Sequence, residues 1–140
     1  MAATSEVDVQ GLDRSLQEIE DDDWGDPQPD ATRLVSTVLA LRRRAVGTLE
    51  VEDLRILLGQ QVGVPVLVPL ALARLEEDPL VEGDFYPGDL LATVLRLPAE
   101  HWRSHPDQVE RVRRVVAAIS PDDLDRDLMR DISAFRSTTH

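Results

Sequence analysis

Apolar residues recur along most of this chain at spacings of three and four, the period of a helix that buries one face. Leu34, Val38 and Leu41 fall on one such face, and Val51, Leu54 and Leu58 on another. Leu90, Leu91, Val94 and Leu95 make a third, followed by Val109, Val112, Val116 and Ile119, then by Leu124, Leu128, Ile132 and Phe135. No stretch alternates apolar and polar residues convincingly as a half-buried strand does, and there is no internal repeat. Punctuation agrees with helices. Asp30 is placed to cap the first of them, with Arg42, Arg43 and Arg44 at its negative end. Thr48 is placed to cap the second, and Gly59 offers a left-handed stop. Tyr86-Pro87-Gly88-Asp89 reads as a turn into a helix, and Pro106 and Pro121 stand at plausible first helical positions.

The stretch VPVLVPLALARL at 64–75 is apolar on almost every side. The uninterrupted apolar run, 62–73, is twelve residues, whereas a helix needs about twenty to cross a bilayer. Pro65 and Pro69 argue against a central strand, where each would remove a ladder hydrogen bond. A helix beginning near Pro65 or Val66 puts both rings at or close to the first turn, whose amides have no intrahelical acceptor in any case. Leu67, Leu70, Ala71 and Leu75 then share a stripe, with Val68 and Leu72 off it. The expected fold is all-α, a single compact domain of about six or seven helices around this central apolar helix, which spans about 65–78.

A chain of 140 residues is one domain by size and can bury roughly two thirds of its unfolded surface. Residues 11–136 are read as the domain, with 1–10 and 137–140 loose. The absence of cysteine removes disulfides, thiolate metal sites and cysteine nucleophiles. MAATSEVDVQGLD has no basic region followed by an apolar one, so no secretion signal is expected and the protein is placed in the cytoplasm. All fifteen cations are arginine, and the net charge is −12. Its distribution is uneven: the first thirty residues hold ten acids against Arg14 alone. Such a field repels nucleic acid and anionic membrane and speeds encounter with basic partners.

Chemistry is hard to find. GQQVG at 59–63 matches no phosphate-binding glycine pattern, and there is no lysine to hold a phosphate. His101 and His105 would share a helix face as zinc ligands do, but Pro106 follows at once and Glu100 precedes the first histidine. They are read as surface histidines, and Arg111, Arg113 and Arg114 as a solvated face. No catalytic residue, cofactor or metal is expected. Two acidic clusters remain as candidate partner-binding residues. In the first, Glu18, Glu20, Asp21, Asp22, Asp23 and Asp26 flank Trp24, a rigid aromatic of the kind that anchors interfaces. In the second, Glu76, Glu77 and Asp78 sit at the negative end of the apolar helix, where each carboxylate is unfavourable by about 0.3–1 kcal/mol. Arg74 is placed four residues before Asp78 to offset them. Glu82 and Asp84 extend this second group.

The ordered segments SLQEIEDDDWG, LEVEDLRILLGQQVGVPVLVPLALARLEEDPL and EGDFYPGDLL together resemble bacterial contact-dependent growth inhibition system immunity proteins, from Ser15 to Trp102. The blocks LVPLALxxLExDPL and GDxYPGDLL are the most specific. The resemblance implies a small cytoplasmic protein that binds and blocks the toxin domain encoded beside it, and it transfers no binding residues. An acidic helical domain without catalytic groups suits an inhibitor of a basic enzyme such as a nuclease, whose phosphate-binding surface must be covered. The alternative is an acidic helical protein-binding or regulatory module unrelated to toxin immunity.

Overall fold

The computed structural model describes residues 11–139; the expectations for 1–10 and 140 fall outside them. Among the described residues are eight α-helices and two short 3-10 turns: α1 (Leu16–Glu20), α2 (Arg33–Arg42), α3 (Val51–Gly59), α4 (Val64–Glu77), α5 (Asp89–Leu95), α6 (Ala99–Arg103), α7 (Pro106–Ala117) and α8 (Arg126–Thr139). The all-α expectation holds. Extended pairing among the described residues is confined to isolated bridges, Ser15 with Ala45 and Glu82 with Pro87. The count exceeds expectation because α1 and α6, five residues each, are too short for a periodic signal.

Several helix ends differ from the sequence reading. Thr32, not Asp30, caps α2 through its hydroxyl. Glu50, not Thr48, caps α3 in a reciprocal pair with Asp53, while Thr48 closes a 3-10 turn. Gly59 is helical, and the left-handed residues after α3 are Gln61 (φ +56°) and Gly63 (φ +67°). Gly63 is required twice over, because a Cβ there would also lie 2.7 Å from the Leu16 side chain that seats α1. Pro121 opens a 3-10 turn before α8. α8 itself runs to Thr139, three residues into the stretch expected to be loose, where the Thr138 and Thr139 hydroxyls donate to the Phe135 carbonyl.

α4 packs against α3, α5 and α7. Leu67, Val68, Ala71, Leu72 and Leu75 are all fully shielded from solvent. The buried face is therefore rotated from the expected stripe: Val68 and Leu72 point inward, and Leu70 is only half-buried. Ala73, Arg74, Glu76 and Glu77 are exposed, so the helix is central but open along one side. Pro65 takes the second position and Pro69 lies inside the helix, one turn later than a first-turn ring, where it removes the amide that would donate to the Pro65 carbonyl. Every residue of α5 from Asp89 to Leu95 except Thr93 is buried. α6 and α8 meet where the Phe135 ring packs edge-on against Trp102, 5.2 Å between centroids. No helix among the described residues is long and apolar enough to cross a membrane.

Candidate interaction site

Residues 20–31 carry the densest negative charge and, after the turn at Asp21, run without helix or strand to the cap of α2. α1 delivers them: Ser15 and Glu18 form a reciprocal capping box at its start, and the Ser15 amide holds the Glu18 carboxyl below its ordinary pKa. The segment is then strapped to the end of α2 by two arginines. Arg42 is 1% exposed; its Nη2 donates to Glu20 Oε1 at 2.9 Å and to the Asp22 carbonyl at 2.9 Å. Arg43 reaches Asp26 at 2.9 Å and Asp23 at 3.9 Å. Trp24 lies between these ties. Its ring sits 4.0 Å from the Arg42 guanidinium carbon, within cation–π range, and its Nε1 donates to Asp22 Oδ2 at 3.0 Å.

Trp24 is neither a core residue nor a free side chain. It stays 48% exposed and borders a hollow with Leu34 and Val35, themselves 43% and 47% exposed; Val38, Leu39, Gln60 and Val62 complete the lining. Leu34 was expected inward with Val38 and Leu41, but only the latter two are buried. The arginines at 42–44 do more than offset a helix end, since Arg44 also ties the next turn, to the Thr48 carbonyl and Asp53. No local signal reveals the Arg42 contacts, which span twenty and twenty-two residues. The Ser15-x-x-Glu18 spacing, by contrast, is a readable start signal for α1.

The second acidic cluster has been divided among structural partners. Glu76 accepts from Arg111 Nε and Nη2 on α7, at 2.8 and 2.7 Å, which holds its pKa below the ordinary range. Arg74 turns to the Leu49 carbonyl instead of Asp78, and Asp78 accepts the Leu80 amide. Glu77 remains exposed. Arg111 is therefore no solvated cation, and Arg113 donates to the Thr139 carbonyl.

Glu82 and Asp84 lie in a different setting, the exposed loop that leads into α5. Its amides are gathered by two carboxylates. Asp89, 2% exposed, accepts from Gly83 at 2.7 Å and Phe85 at 3.1 Å; Glu52 accepts from Asp84 at 2.9 Å. Arg55 binds Glu52 with two nitrogens and sits 4.3 Å over the Phe85 ring. Gly83 leaves room for this, because a Cβ would come within 2.6 Å of Glu52 Oε1. The side chains of Phe85 and Tyr86 stay 66% and 43% exposed.

His101 and His105 are half-buried and stacked, 4.3 Å between centroids, not freely exposed. His101 Nε2 donates to Gln108 Oε1 at 2.7 Å, and the His105 Nδ1 donates to the His101 carbonyl. Burial lowers the His101 pKa below 6.5. Among the described residues no group of three or more His, Cys, Asp or Glu is arranged to hold a metal ion.

A family model described as CDI immunity proteins matches residues 18–112, from α1 into α7. No curated protein and no solved structure matches the chain.

Proposed function

We propose, from the premise that this chain belongs to the CDI immunity proteins, that it neutralises the toxin domain of its own contact-dependent growth inhibition locus by binding it in the cytoplasm. The observation that carries this reading is the acidic strap at 20–26, fixed to α2 beside an exposed tryptophan. An electrostatic lure and a rigid aromatic in one place are what a fast, specific encounter needs. The toxin surface it meets is basic, of the kind a nuclease uses to hold phosphates, and covering that surface stops the enzyme without any chemistry by the inhibitor. The Glu82 and Asp84 loop is a second point of approach, whereas Glu76 is committed to Arg111.

The test pairs the purified chain with the purified toxin domain encoded beside it. Binding should be tight, producing cells should be protected in a growth-rescue assay, and association should slow as salt is raised. A chain that binds nothing from its own locus and leaves cells unprotected is an acidic protein-binding module of another kind.

A further inference from the structure

We propose that the hollow bounded by Trp24, Leu34 and Val35 receives one apolar side chain of the partner, presented from a segment with arginine or lysine on either side of it. The inference rests on the immunity reading and specifies how that partner is gripped. Single exposed apolar residues are ordinary on a protein surface, but three large ones lining one concavity are not. Its volume, about 210 Å³, falls below the roughly 300–1,000 Å³ of sites that enclose drug-sized molecules. A side chain fits it better than a free ligand does. The floor is apolar, with Val38 and Val62 buried beneath, so the entering group gives up no hydrogen bonds there.

The anchor is ordered before any partner arrives. The Arg42 stack and the Asp22 hydrogen bond fix the Trp24 ring, so little rotamer freedom remains to be lost on association. The rim supplies the charge selection. Asp21, Asp22, Asp23 and Asp26 lie along the strap on one side; Arg43 offsets Asp26 and, at longer range, Asp23, while Arg42 is buried, so the exposed rim keeps a net negative charge. A second copy presenting this face would set strap against strap, which like charge disfavours. A basic segment is attracted by the same charges.

Trp24 and Trp102 are the chain's two tryptophans, and Trp102 is 2% exposed, so acrylamide quenching of the full chain reads Trp24. Adding the cognate toxin domain should reduce quenching to the level set by Trp102. Leu34→Ala with Val35→Ala, on exposed positions that leave the core untouched, should weaken binding about tenfold, mainly through the off-rate. Trp24→Ala should weaken it about 30-fold, the hot-spot threshold converted at tenfold per 1.4 kcal/mol. Asp21→Asn with Asp23→Asn should instead slow association at low salt and leave the off-rate nearly unchanged. If the toxin binds and cells are protected while Trp24 stays quenchable and the Leu34 and Val35 variant binds like the wild type, the hollow is not the grip, although the immunity reading stands. If the toxin does not bind, both fall. If the chain alone sediments as a dimer with Trp24 shielded, a second copy fills the hollow and the inference is overturned.

Discussion

The strap at 20–26 and the loop at 82–88 solve one problem in two ways. Each holds an exposed aromatic under an arginine that is also paired with a glutamate: Trp24 with Arg42 and Glu20, Phe85 with Arg55 and Glu52. In the loop, carboxylates on α3 and α5 accept the loop's own amides, so three backbone donors are fixed from within. In the strap the direction is reversed, and one buried arginine donates to a strap carbonyl and a strap carboxylate. The Arg42 Nε has no acceptor among the described residues. The loop is held mainly through its own backbone, whereas the strap is held mainly through side chains, those of Arg42, Arg43 and Trp24.

The sharpest way to break the comparison is Asp89→Ala. It removes the charged acceptor of the Gly83 and Phe85 amides, at about 1.5–3 kcal/mol per hydrogen bond to a charged group, and should lower stability by about 3 kcal/mol in a denaturant titration with the strap unaffected. Arg42→Ala should follow at about 2 kcal/mol, because Glu20 is partly exposed and can return to water. Its signature is local: limited proteolysis should cut within 22–30 while the loop stays protected, and a strap that remains uncut would show that other contacts hold it. Acid should act on the loop next. Arg55 holds the Glu52 pKa below 4.5, so the folded state gains from this pair above that value and loses the gain as pH falls through the lowered pKa. His101, lowered by burial, adds a loss of the same sign as pH falls below 6.5. Glu52→Gln should flatten the stability profile at the acid end, and an unchanged slope would remove Glu52 from the account. The smallest effect is expected of Glu76→Gln, under about 1 kcal/mol for a partly exposed pair, with no change in toxin binding.

The helices that periodicity announced are present, and the family blocks coincide with parts whose geometry is local. GDFYPGDLL is legible because its ties join neighbours: Asp89 binds amides four and six residues before it. The rotation of α4 was not legible, since an all-round apolar helix contains no signal for which side meets solvent. Leu34 misled for a related reason. Its spacing to Val38 and Leu41 is helical, but the start of α2 projects beyond the core that buries the other two. Trp24 stands out in the sequence as an aromatic in an acidic run, yet its partner Arg42 lies eighteen positions away and no pattern of spacing connects them.

One feature of the layout bears on how the chain reaches this state. α3, α4 and α5 are consecutive and mutually packed, joined by connections of four and eleven residues, 60–63 and 78–88. Short closures lose little chain entropy, so this trio can assemble early. α7 and α8 then close over it, and the strap, which adds no buried apolar residue of its own beyond Leu16 before it, is the last to settle. Run backwards, the same order makes strap release the first excursion from the native state, with amides at 22–30 exchanging while those of α4 remain protected.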